Sequence, residues 1–206
     1  MQDRFASFAE LERGAPEDSW RIVTEDKGPE VLVIAPHGGE IEVGTSELAA
    51  SIAGAEHSLY CFEGRQRRAF RELHLTSHRF DEPLAVSLAA RATIVVGVHG
   101  CRGQGAIYVG GLDIALVNLL TRSLREAGFP AHSQGHPFPA LHPRNICNCS
   151  RRGAGAQLEL TLDLRDAERH SDIAHAVRAA IAIHLQRLPA HESGMSPSRV
   201  AGARQR

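Results

Sequence analysis

No apolar run in this 206-residue sequence approaches the ~20 residues of a membrane span, so no membrane partner is expected. The opening residues, Met1-Gln2-Asp3-Arg4-Phe5, lack the basic-then-apolar pattern of a secretory signal, and a cytoplasmic product is expected. Cysteine is scarce, and four in a chain of this size make no disulfide scaffold. Cys147-Asn148-Cys149 is a C-x-C with neither the C-x-x-C spacing nor the partner pair of a redox or zinc-ribbon motif. The cysteines are therefore read as free thiols. Neither sign of charge is in excess: a formal net charge of −1 argues against a nucleic-acid partner, which calls for a marked basic surplus.

What is present is ordinary for a globular chain, with 43% apolar and 23% charged residues. The length suits one domain with a full core, expected over residues 1–188. Residues 189–206, rich in Pro, Ser, Gly and Arg, are expected to form a disordered tail. Apolar runs alternate with helical patterns, which predicts a three-layer α/β/α fold around a mostly parallel open sheet. Strands are expected at 21–24, 31–35, 59–62, 93–98, 106–109 and 157–162. Thr45 or Ser46 should cap a helix ending before Gly54. Pro83 should open a second helix, and Asp113 should cap a third that ends at Ala127-Gly128. Ser171 should precede a fourth running to Leu188. Residues 130–150 have no period, and an irregular stretch that long inside a domain is usually functional or disordered.

The chemistry concentrates where strands end. Val31-Leu32-Val33-Ile34-Ala35 leads through one proline into His37-Gly38-Gly39-Glu40-Ile41-Glu42. A second apolar run, Thr93-Ile94-Val95-Val96-Gly97-Val98, ends in His99-Gly100. In open α/β sheets, ligands bind beyond the carboxyl ends of the strands, and two strand-then-His-Gly sequences are harder to dismiss than one. Imidazole plus carboxylate is the usual donor set of a catalytic zinc with one open position. His37 and His99 are therefore candidate ligands. The carboxylate is open between Glu40, three residues after His37, and Glu42, five after it. Gln157-Leu158-Glu159-Leu160-Thr161-Leu162 alternates polar with apolar residues like a late strand. Glu159 in its middle could move the proton that amide hydrolysis with a metal requires. Arg144, Arg151 and Arg152, in the loop leading to that strand, could bind the carboxylates of a polyanionic peptide substrate. Arg65, Arg67, Arg68 and Arg71 are read as a solvated face. His74-Leu75-Thr76-Ser77 is open between a cleft wall and a plain strand end.

These residues together carry a resemblance. His37-Gly38-Gly39-x-Ile41-Glu42, Gly44-Thr45-Ser46-Glu47, His74-x-Thr76-Ser77, His99-Gly100, Asn145-Ile146-Cys147-Asn148 and Gln157-Leu158-Glu159 resemble the zinc-dependent poly-γ-glutamate hydrolases of phages and bacteria. Some members of that family are labelled phage-related replication proteins. The similarity runs over about residues 31–165. It implies a zinc-carboxypeptidase-like architecture and a single catalytic domain that cleaves γ-glutamyl amide bonds. It also implies one Zn2+ on His37, Glu42 and His99, with Glu159 as general base. The chain departs from the pattern at Val43, where proline is common and whose presence is expected to loosen the turn. It departs again at Cys149-Ser150, where glycine or arginine is more usual. Two further readings use the same site: a zinc amidohydrolase of a small N-acylated amino acid, and a non-catalytic binding protein that has lost its metal.

Overall fold

The sheet is built around the strand that the apolar run announces. A computed structural model describes residues 3–189. In it β1 (Trp20–Glu25), β2 (Val31–Gly39), β3 (Ser58–Gly64), β4 (Ile94–Cys101), β5 (Ile107–Gly110), β6 (Ala131–His132) and β7 (Ala156–Thr161) form one sheet in the order β1-β3-β2-β4-β7-β5-β6. The four inner strands β3, β2, β4 and β7 run parallel to one another, while β1 and β5 pair antiparallel with β3 and β7. Strand β2 is buried on both faces as far as Gly38, which is why it reads as a continuous apolar run and not as an alternation.

Helices α1 (Phe8–Gly14), α2 (Thr45–Ala53), α3 (Ala69–Leu73), α4 (Pro83–Arg91), α5 (Ile114–Glu126) and α6 (Ala167–Arg187) complete three layers. Val31, Val33 and Ala35 pack with Leu48 and Ile52 of α2, Leu116 and Leu120 of α5, and Ile173 and Val177 of α6. Leu32 and Ile34, one residue out of phase, pack on the other face with Leu11, Leu73, Leu88 and Ile146. The chain passes from β2 through α2 to β3 on one face, then from β3 through α3 and α4 back across β2 to β4 on the other. Two crossovers of the same hand that run in opposite directions must use opposite faces, and their divergence opens a crevice between β2 and β4. The register shows it: β2 and β4 pair only from Val31↔Ile94 to Ile34↔Gly97. His37 and His99 lie just beyond the split.

The six expected strands are present with slightly shifted ends. Pro83 opens α4, and Glu82 before it caps the helix by accepting from the Leu84 and Ala85 N–H groups. Asp113 caps α5 through the Leu116 N–H. Two helix starts differ from expectation. The residue before α2 is Gly44, in the left-handed region at φ 88°. Thr45 Oγ1 instead donates to the Glu42 carbonyl at 2.8 Å, and Ser46 Oγ accepts from the Gly39 N–H at 3.2 Å. Helix α6 starts at Ala167, four residues before Ser171, because the turn Leu162–Leu164 feeds straight into it. Helices α1 and α3 and the two-residue strand β6 were not expected at all. Within residues 130–150 the order comes from Asn148. Its side chain accepts from the Leu112 and Gly155 N–H groups and donates to the Ala140 and His142 carbonyls. Apart from Pro189, the expected tail lies outside the described residues. Among them, no helix is long and apolar enough to cross a membrane.

Asp113 does more than cap α5. Its Oδ2 meets Arg152 Nη1 at 2.6 Å and His184 Nε2 of α6 at 2.9 Å. Burial alone would raise this carboxyl, but the hydrogen bonds from His184, the Leu116 N–H and Arg152 hold it down at about 2. Asp113→Ala should destabilise the fold by about 2–4 kcal/mol in urea unfolding, since it removes a cap and strands a buried partner. A group with a depressed pKa stabilises fully above its unfolded value of 3.8 and loses that contribution as pH falls toward about 2. The gap between wild type and variant should therefore shrink across that window.

Candidate active site

The turn after β2 folds back on itself. Gly39 sits at φ 59°, where a side chain would also collide with the Gly64 carbonyl. The Glu42 N–H then donates to the His37 carbonyl at 2.9 Å, and the Thr45 N–H to the Glu42 carbonyl at 3.2 Å. Val43, exposed at the tip, does not loosen the turn: these bonds close it, and Arg165 Nη1 donates to the Val43 carbonyl. The result is a carboxylate held over a histidine, with Glu42 Oε1 3.2 Å from His37 Nδ1 and Oε2 3.7 Å from His99 Nδ1. Glu42 Oε2 also accepts from the Gly100 N–H at 2.7 Å. Glu40 is exposed, and its backbone N–H is held by the Gly64 carbonyl. The geometry thus brings Glu42, and not Glu40, to the histidines.

The two imidazoles face each other, with Nδ1 to Nδ1 at 3.1 Å. His37 Nε2 lies 2.7 Å from the Leu75 carbonyl, which can only accept, so Nε2 carries the hydrogen and Nδ1 is a lone-pair donor. One donor atom each from His37, Glu42 and His99 lies within 4.8 Å of the others. Lone pairs converging this closely, from two imidazoles and a carboxylate, suit a bound cation, and three such donors with an open side match a catalytic zinc site. Burial would lower the His37 pKa, but the Glu42 charge and hydrogen bond raise it above its ordinary value. His99, with burial dominant, is lowered. Burial would raise the Glu42 carboxyl, yet the two histidines hold it well below the usual carboxylate range.

Glu159 stands beside this group because His99 and Glu159 are register partners on β4 and β7. It is only 9% exposed. Burial first, and the Glu42 charge second, push its carboxyl well up, with Arg165 opposing. A short relay orients it. Asn145 Nδ2 donates to Gln157 Oε1 at 2.9 Å, which turns Gln157 Nε2 toward Glu159 Oε1 at 3.1 Å. Asn145 Oδ1 meanwhile accepts from the Cys147 N–H. Two of the sequence motifs thereby acquire a shared structural role.

A cleft of about 810 Å³ opens over these residues, and Phe70, Phe138, Thr76 and Ser77 form part of its walls. His74 also faces it, stacked on His37 at 4.2 Å between ring centroids. His74 Nδ1 is held at 2.9 Å by Asp3 Oδ1, while Asp3 Oδ2 accepts from the Thr76 N–H. Burial and the neighbouring His37 draw the His74 imidazole down to about 4. Cys101 lines the cleft as well, and burial followed by the Glu159 charge pushes its thiol up to about 12.

The arginines do not fall where their sequence neighbourhood suggested. Arg144 and Arg151 are exposed, Arg152 is committed to Asp113, and none of the three lines the cleft. The cations that do line it are Arg102, exposed at the rim, and Arg165, 9% exposed. No motif marks either one. Arg102 is separated from Arg165 by over sixty residues, and only the β4–β7 pairing brings them together.

Comparison with known proteins agrees with this geometry. Residues 5–183 match the Poly-gamma-glutamate hydrolase family. The chain is 37% identical to the UPF0714 protein YndL of Bacillus subtilis (strain 168) over 167 residues, which cover 80% of this chain and 66% of YndL. To the SPbeta prophage-derived UPF0714 protein YoqZ of the same strain it is 36% identical over 166 residues, covering 79% of this chain and 60% of YoqZ. The chain thus spans less than two-thirds of the length of these curated relatives. Among solved structures it is similar to a bacteriophage poly-gamma-glutamate hydrolase, with a TM-score of 0.86, 30% identity and coverage of 90% of this chain and 99% of that one. It is also similar to YndL in a zinc-free apo form, with a TM-score of 0.82, 32% identity and coverage of 88% and 98%. The family match over most of the chain and this level of identity establish that the chain belongs to the poly-gamma-glutamate hydrolase family.

Proposed function

We propose that the protein is a one-zinc hydrolase of γ-glutamyl amide bonds in poly-γ-glutamate, a polyanionic peptide. The observation that carries the reading is the convergence of three metal-ligand donors with a buried, oriented carboxylic acid in one open cleft. The similarity to a bacteriophage poly-gamma-glutamate hydrolase supports the substrate, and the zinc-free form of YndL supports the metal. The non-catalytic reading is weakened because all three donors and the acid are retained.

A zinc ion on His37 Nδ1, Glu42 and His99 Nδ1 would polarise the scissile carbonyl and acidify a water molecule. The chain's own groups do the rest. The Leu75 carbonyl keeps the His37 tautomer fixed, and the Gly100 N–H keeps Glu42 turned toward the histidines. Glu159, with Oε1 engaged by Gln157, has Oε2 left to take a proton from the attacking water and return it to the leaving nitrogen. Its raised proton affinity makes it a stronger base once ionised. The aromatic walls Phe70 and Phe138 narrow the solvent around the reacting bond.

Three outcomes test this reading. Zinc measured on protein purified without added metal should approach one ion per chain in wild type and in Glu40→Gln, and be lost from Glu42→Gln on dialysis. Equal retention in both variants would remove Glu42 from the ligand set. Glu159→Gln should keep its zinc while kcat on poly-γ-glutamate falls ~10²–10⁴-fold; full activity would make Glu159 structural. Finally, only ionised Glu159 accepts a proton and its pKa is raised. Activity should therefore fall with decreasing pH as Glu159 takes up its proton, and the same acidic limb persisting in the residual activity of Glu159→Gln would remove Glu159 as the base.

A further inference from the structure

One buried cation in the cleft, Arg165, forms no ion pair among the described residues. Arg165 follows the turn Leu162–Leu164 at the end of β7, with its N–H on the Leu162 carbonyl and its own carbonyl accepting from His170 Nε2 at 2.8 Å. The backbone on both sides of it is therefore pinned. Its guanidinium lies against Gly100 and its main chain against Gly44, and a Cβ at either glycine would collide with it. Among the described residues only Nη1 of the guanidinium has a partner, the Val43 carbonyl, while Nε is buried with none. Glu42 and Glu159 face it across the cleft floor without forming an ion pair among the described residues. An arginine that is nine-tenths buried as a residue, with guanidinium donors unspent among the described residues, is a costly thing to retain for structure alone. Its fork matches a carboxylate.

The chemistry of the proposed substrate says which carboxylate. In a γ-linked glutamate chain, the leaving nitrogen is bonded to a carbon that carries a free α-carboxylate. That carboxylate is two bonds from the atom to which Glu159 returns the proton, and Arg165 is the cation beside Glu159. In an α-linked chain the same carbon carries the next amide, and a free carboxylate stands there only on the last residue. Resting on the substrate reading above, we propose that Arg165 binds the α-carboxylate of the residue on the leaving side. This contact makes the site selective for γ-linkages anywhere along a chain. The bland alternative is that Arg165 only balances the charges of Glu42 and Glu159. Arg102, solvated at the rim, is the competing cation.

The test needs two γ-linked oligoglutamates that differ at one position. In the second, the leaving-side residue is 4-aminobutyrate, which keeps the chain atoms and replaces only the α-carboxylate by hydrogen. Wild-type enzyme should cleave the first with kcat/KM about 10- to 100-fold higher, the range expected for a charge-assisted bond. Arg165→Gln should bring that ratio close to one, and Arg165→Lys, which keeps the charge but not the fork, should leave an intermediate ratio. Arg102→Gln should preserve it. Zinc content and thermal melting of each variant report folding. Calorimetric titration of both oligomers into Glu159→Gln protein, which does not depend on turnover, should show the same ordering of affinities. Equal wild-type rates on the two oligomers would overturn the proposal even if no Arg165 variant folds. So would an undiminished ratio in Arg165→Gln, or a ratio lost in Arg102→Gln alone. Cleavage of neither oligomer by wild type would overturn the substrate reading itself.

Discussion

After the Ile34–Gly97 pair, β2 and β4 stop exchanging hydrogen bonds, and the backbone groups beyond that point need other partners. They find them in the site. The Gly100 N–H, which an unbroken sheet would have directed at β2, is taken by the Glu42 carboxylate. The His37 carbonyl is taken by the Glu42 N–H and by Thr45 Oγ1. The parting of two strands, forced by helices that leave on opposite faces, thus creates both the crevice and the hydrogen-bonding demand that holds a carboxylate within it. Backbone satisfaction and site assembly are one event here, which fixes the donors more firmly than a loop could.

The electrostatics follow from that placement. Two buried carboxyls occupy one cleft, and their surroundings drive them apart: the histidines hold Glu42 down, while burial and the Glu42 charge push Glu159 up. Divergent acids in a shared pocket are the usual sign that one is a permanent anion and the other a proton carrier. Arg165 faces both without an ion pair to either among the described residues, and its charge offsets only part of the rise at Glu159.

Much of this was legible in the sequence, for physical reasons that can be named. The apolar runs of β2 and β4 announced doubly covered strands, and Pro83 and Asp113 announced helix starts, because each acts through its immediate neighbours. His37 and His99 were legible as a pair because both follow such runs. Whether Glu40 or Glu42 joined them was not, since it depends on the φ of Gly39 and on which backbone groups the parted strands leave free. Thr45 and Ser46 misled as caps because their hydroxyls were claimed by the His37–Glu42 turn. Arg144, Arg151 and Arg152 misled because closeness to Glu159 along the chain is not closeness across the sheet. Arg165, on the cleft, and Asp3, behind His74, come from parts of the chain that carry no periodic signal.

Cys101 lies two residues past His99, on the cleft wall. A thiolate there would be a softer and more strongly competing donor than a carboxylate, and would draw copper(I) or a rearranged zinc site. Burial and two neighbouring acids keep the sulfur protonated far above neutral pH. The same proton makes the sulfur a poor nucleophile toward peroxide or disulfides, so the one thiol on the cleft wall is a quiet one.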